Sequence, residues 1–243
     1  MSDKQQRDDV FAKPLAEIRA FEFNESVARV FADMISRSVP GYSLLLHLIG
    51  LYAELLVQPH SRVYDLGCSL GEASLVIADR CAGRQCRIVA VDSSPAMIDK
   101  CRQHEGSSDD IEWQCADIRD IEFADASLVV LNLTLQFLPP EERAALLQRI
   151  AGALRSGGAL VLSEKVVFAD EQEDRRMTAL YQAFKKTMGY SELEISQKRN
   201  ALENVLIPDT EAQHRERLLD AGFDEVYPCF RALNFVSWLA LKA

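Results

Sequence analysis

Between residues 63 and 74 the chain reads Val63-Tyr64-Asp65-Leu66-Gly67-Cys68-Ser69-Leu70-Gly71-Glu72-Ala73-Ser74. An apolar run closes on an acid, two glycines follow four positions apart, and helix formers begin at once. This is the pattern of a buried strand, a tight turn and a helix N-terminus whose backbone N–H groups face outward. Gly67 suits a turn conformation closed to other residues, and Gly71 suits close packing of the helix on the strand. An ordinary glycine-rich turn with no ligand shows the same residues.

The rest of the chain repeats the strand–helix alternation. Cys86 to Asp92 is a second apolar run ending in an acid, Ile111 to Cys115 a third strand, Ser127 to Asn132 a fourth and Ala159 to Lys165 a fifth. Pro139-Pro140-Glu141-Glu142 opens a helix with proline and acids in its first turn, and Ser156-Gly157-Gly158 stops it. Residues 170–208 interrupt the alternation with a charged helical insertion, in which Ser191 and Glu194 form a capping-box pattern. Glu225 to Phe230 and Asn234 to Leu241 read as a closing antiparallel pair. The expected fold is therefore α/β: a doubly wound, mostly parallel seven-stranded sheet with an antiparallel C-terminal hairpin. Residues 1–20 read as a mobile arm. Residues 21–243 read as one domain, with N-terminal helices over 21–57 and the insertion over 170–208.

In this architecture ligands bind beyond the carboxyl ends of the strands. A carboxylate at Asp65 repels a pyrophosphate but suits an ammonium group, which favours S-adenosylmethionine over a dinucleotide. Asp92 stands where a carboxylate accepts from two ribose hydroxyls, each bond worth ~1.5–3 kcal/mol; a helix cap near Pro95 is the alternative. Asp117 and Ile118 suit the two sides of an adenine, with an Asx turn as the competing reading. Asn132 is a polar end to an apolar strand. Tyr42 follows the Pro40-Gly41 turn and either covers a helix start or faces a ligand.

The net charge of −10 and the absence of a Lys/Arg block argue against tight binding of nucleic acid. The longest apolar stretch, Tyr42 to Val57, contains His47 and Glu54 and falls short of a membrane span. The six cysteines show no CxxC and read as reduced cytoplasmic thiols. The four histidines, His47, His60, His104 and His214, are scattered, so no metal site is expected. There is no internal repeat.

These stations, in this order, resemble the class I S-adenosylmethionine-dependent methyltransferases, with their Rossmann-like methyltransferase fold. Ser69 departs from that pattern, standing where a middle glycine is frequent. A narrower resemblance rests on four stretches: Arg37 to Ser43, Tyr64 to Gly71, Leu131 to Leu138, and Gly189-Tyr190-Ser191-Glu192-Leu193-Glu194-Ile195-Ser196-Gln197-Lys198-Arg199. Over residues 22 to 242 the chain looks like the carboxy-S-adenosyl-L-methionine synthases.

That resemblance implies conversion of S-adenosylmethionine and prephenate into carboxy-S-adenosylmethionine and phenylpyruvate. The product is then used by a separate enzyme to modify wobble uridine in tRNA. It further implies a homodimer, no membrane partner, and ligand contacts from Tyr42, Gly67, Cys68, Ser69, Asp92, Ser93, Asp117, Ile118, Asn132 and Arg199. Position 93 is a serine where asparagine is expected. Arg199 would anchor the carboxylate that distinguishes product from cofactor, since a guanidinium pairs bidentately with a carboxylate. On residues alone, a helical ion pair with Glu203 competes with that role. Two other functions stay open here. One is an ordinary small-molecule methyltransferase, the other a cofactor-binding subunit that turns nothing over.

Overall fold

The computed structural model describes residues 6–103 and 109–243; His104 lies outside them. The main sheet has the order β3-β2-β1-β4-β5-β8-β7. It is built from β1 (Arg62–Leu66), β2 (Arg87–Asp92), β3 (Ile111–Cys115), β4 (Ala126–Asn132), β5 (Leu154–Val167), β7 (Glu225–Ala232) and β8 (Phe235–Leu241). The first five strands pair in parallel, and β8 runs antiparallel to both β5 and β7. The expected seven-stranded sheet and closing hairpin are both present.

Strand residues alternate between two cores, which is what a sheet covered on both faces requires. Tyr64, Leu66, Val129, Leu131 and Leu160 pack with Leu146, Leu147 and Ile150 of α5 (Pro140–Ala153) and Leu218 of α8 (Glu211–Asp220). Val63, Ile88, Leu128, Val130 and Val161 pack with Leu45, Ile49 and Ala53 of α2 (Tyr42–Leu56) and Ile77 of α3 (Glu72–Arg80). The remaining helices are α1 (Glu25–Ser38), α4 (Pro95–Arg102), α6 (Glu171–Thr187) and α7 (Glu192–Leu202). The expected capping box is formed at α7: the Ser191 hydroxyl accepts from the Glu194 N–H at 3.2 Å, and the Glu194 carboxylate accepts from the Ser191 N–H at 2.7 Å.

Three elements differ from the sequence expectation. β5 begins at Leu154, five residues early, because Leu154 pairs with Ala126 before an irregularity in the ladder. A two-residue strand, β6 (Asp209–Thr210), pairs with Val166 and Val167 of β5; so short a strand has no pattern of its own. The arm expected to be mobile is docked along residues 8–15. The Asp8 carboxylate is buried and accepts from the Tyr190 hydroxyl at 2.6 Å, while Gln197 Nε2 donates to the carbonyls of Phe11 and Lys13. Its charge suits a solvated tail, but these partners lie 182 or more residues away in α7 and the turn before it, and Asp33 and Arg29 of α1 hold it as well. Residues 1–5 lie outside the described residues.

Candidate active site

The strand order reverses at β1, whose neighbours β2 and β4 lead to opposite sides of the sheet. A cavity of about 440 Å³ opens there, beyond the carboxyl ends of the strands. That volume lies within the range of small-molecule sites. All ten residues singled out above line it: Tyr42, Gly67, Cys68, Ser69, Asp92, Ser93, Asp117, Ile118, Asn132 and Arg199.

Two glycines shape the loop. Gly67 has φ +79°, and a Cβ there would lie 2.4 Å from the Thr134 side chain. Gly71 has φ +78°, but its neighbour is not β1: a Cβ would strike the Trp113 ring of β3 at 2.4 Å. Between them Ser69 also takes a left-handed φ of +50°, which explains why glycine suits this position. The Ser69 N–H is not free for a ligand, because it donates to Asp92 Oδ2 at 2.8 Å.

Asp92 is braced on both oxygens, since Oδ1 accepts from the Ser94 N–H at 2.9 Å. The cap of α4 is the Ser94 side chain, so Asp92 is not consumed as a helix cap. Each carboxylate oxygen has two acceptor sites, and the two bonds leave capacity for a diol. Burial raises its pKa, opposed by those same backbone bonds. Asp65 is 1% exposed and accepts from the Ser74 hydroxyl at 2.6 Å. Burial pushes its pKa up to about 6, against the lowering effect of Ser74. Tyr42 is the first residue of α2; burial, then the Glu72 and Asp65 carboxylates, push its phenol pKa well up. The Cys68 thiol is likewise pushed up, first by the Cys101 thiol beside it and then by burial, so it is not a poised nucleophile.

Asp117 makes the Asx turn that competed with adenine recognition. Its Oδ1 accepts from the Arg119 N–H and Nε, both at 2.9 Å, and Oδ2 accepts from Nη2 at 2.6 Å. One acceptor site remains for a ligand. Asn132 Oδ1 is buried without a partner, a polar atom awaiting a donor. Arg199 is exposed at the cavity edge, and among the described residues it makes no ion pair with Glu203, which lines the same cavity.

Lys165, Tyr181, Lys185 and Lys198 also line the cavity and were not singled out by sequence. Two signals were available: Lys165 closes the fifth apolar strand, as Asp65, Asp92 and Asn132 close others, and Lys198 stands beside Arg199 in the insertion motif. Lys185, on a charged helix, looks like solvated charge.

Residues 63–158 match a family model described as a methyltransferase domain. A carboxy-S-adenosyl-L-methionine synthase of Stutzerimonas stutzeri is 51% identical over 241 residues, covering 96% of this chain and 98% of that protein. One of Vibrio campbellii is 49% identical over the full length of both. The chain belongs to the carboxy-S-adenosyl-L-methionine synthase family. Solved structures carry the same fold at lower identity. Human N-acetylserotonin methyltransferase in complex with SAM aligns with a TM-score of 0.60 and 19% identity over 90% of this chain. This chain spans only 55% of that one. Magnesium protoporphyrin IX methyltransferase of Synechocystis, with bound SAH, aligns at 0.59 and 15% identity over 86% of this chain and 87% of its own.

The residues lining the cavity suit a cationic nucleoside such as S-adenosylmethionine. They offer a buried carboxylate at Asp65, a braced carboxylate at Asp92, an unpartnered amide oxygen at Asn132 and a floor kept open by Gly67.

Proposed function

We propose that this chain makes carboxy-S-adenosylmethionine and phenylpyruvate from S-adenosylmethionine and prephenate, as a homodimer. The observation that carries the reading is the joining, in one cavity, of the strand-end acids Asp65, Asp92 and Asp117 with the cationic wall around Arg199. A methyltransferase for neutral acceptors has no use for that wall. Asp92 would hold the ribose, Ile118 and the remaining acceptor of Asp117 the adenine, and Asp65 with Tyr42 and Asn132 the amino acid end. Arg199 would pair with the carboxylate gained in the reaction. Bound there, S-adenosylmethionine supplies a methyl carbon acidified by its sulfonium and prephenate supplies CO₂, the methyl proton and ring hydroxide leaving as water.

The chain's own contribution is positioning and exclusion of water. Leu133, Phe137 and Phe235 wall the cavity without offering protons, and the buried Asp65 keeps the positive end in place. Apolar side chains left exposed along one face of α2, Leu44, Leu51 and Leu55, support a second copy as partner. The test is mass spectrometry of the purified protein incubated with S-adenosylmethionine and prephenate. The expected product exceeds S-adenosylmethionine by one CO₂ and appears with equimolar phenylpyruvate. S-adenosylhomocysteine as the sole product overturns the reading.

A further inference from the structure

Lys165 lies near the end of β5, Lys185 in the last turn of α6 and Lys198 in α7, and all three line the cavity. In the sheet, β5 is three strand steps from β2, which carries Asp92. At the usual inter-strand spacing that separation is about 14 Å. The lysines therefore face a different part of the ligand space from the ribose site.

These cations are poorly compensated. Lys165 Nζ and Lys185 Nζ stand 5.4 and 4.5 Å from the centroid of one ring, that of Tyr181. Among the described residues neither lysine has a carboxylate within ion-pair distance. Lys198 has Asp8 at 4.0 Å and donates to the Ser38 hydroxyl at 3.0 Å. Lys185 is 8% exposed, and burial followed by the charges of Lys198, Lys165 and Arg199 lowers its pKa to about 7. Gathering like charges in a cavity is costly unless an anion joins them. Arg119 also lines the cavity, but it follows β3 at the opposite side and is spent on Asp117 and Glu142 at 2.6 Å each.

Resting on the function proposed above, we infer that Lys165 and Lys185, backed by Lys198, form a second anion subsite, distinct from Arg199. It holds the carboxylate of the co-substrate that does not leave. The assignment between the two carboxylates follows from charge. Decarboxylation discharges the leaving carboxylate to neutral CO₂, so a cation paired with it would stabilise the ground state more than the transition state. The side-chain 2-oxo carboxylate keeps its charge throughout, and a fixed cation there binds substrate without opposing the reaction. Phenylpyruvate retains this group and should occupy the same subsite.

Lys185→Met keeps the helix former and the apolar stem. Calorimetry should show phenylpyruvate binding about 30-fold weaker in this variant, the usual effect of removing one member of a buried charge pair. S-adenosylmethionine affinity should be unchanged, which also verifies the fold. In turnover the KM for prephenate should rise by a similar factor with a smaller change in kcat. Lys185→Arg should restore most of the loss, and Lys165→Met should repeat it. Unchanged phenylpyruvate affinity in both methionine variants overturns the subsite. So does a parallel loss of S-adenosylmethionine binding, which would make the lysines merely structural. Should the wild type make no carboxylated product, the proposed function fails by itself. The calorimetric comparison with phenylpyruvate still decides the subsite.

Discussion

In the function proposed above, Asp65 is a strand-end acid that burial turns into a pH-dependent contact. Its carboxyl pKa is pushed up to about 6 in the ligand-free site, while a sulfonium and an ammonium attract only the ionised form. A proton therefore competes with the ligand as pH falls through that value, and affinity is highest above it. Linkage predicts S-adenosylmethionine binding about tenfold weaker at pH 5 than at pH 7. Calorimetry at the two values checks this, and Asp65→Asn should flatten the profile. A flat profile in the wild type would remove Asp65 from contact with the positive end. Arg199 permits a different kind of test, because it carries charge at the cavity edge with no ion pair to Glu203 among the described residues. Arg199→Met should weaken carboxy-S-adenosylmethionine by ~2–5 kcal/mol and leave plain S-adenosylmethionine nearly unaffected. Equal weakening of both ligands would mean that Arg199 only positions α7.

At the scale of elements, the cavity wall after β4 is held by a residue outside the cavity. Arg143 of α5 is fully buried. Its Nη1 donates to Asp209 Oδ2 at 2.6 Å, its Nε to the Leu138 carbonyl at 3.0 Å and its Nη2 to the Ile207 carbonyl at 2.8 Å. One guanidinium thus ties the turn after β4 to the segment leading into β6. Arg143→Met would strand these acceptors and leave Asp209 only Arg217, at 2.8 Å. Breaking a buried pair of this kind costs ~3–5 kcal/mol, measurable by urea unfolding; a loss under 1 kcal/mol would show that water replaces the arginine. Glu164 works from the other side of the same turn, accepting from the Leu135 and Gln136 N–H groups at 2.8 and 3.0 Å. Burial pushes its pKa up to about 8, opposed by those two bonds and by Arg143.

For the whole molecule, the net charge of −10 coexists with cations gathered inside a cavity. Such a distribution suits small anions and opposes a polyanion on the outer surface. A gel shift with tRNA at physiological salt should show no tight complex; sub-micromolar, steeply salt-dependent binding would refute this. The seven strands of the main sheet, the acids at their ends, the loop glycines and the capping box at Ser191 were legible in the chain itself. Each depends on neighbours within a few residues, and periodicity or turn chemistry reports such neighbours directly. The Lys198-Arg199 motif pointed to the cationic wall through resemblance alone. Tertiary structure decided the rest: the docking of Asp8 on Tyr190, the Ser69 N–H spent on Asp92, and the meeting of Lys165, Lys185 and Lys198. The physical reason is that a charged side chain carries no local mark of what it will face. Water and a cavity wall look the same from the helix that bears the lysine, and only the packing of distant elements tells them apart.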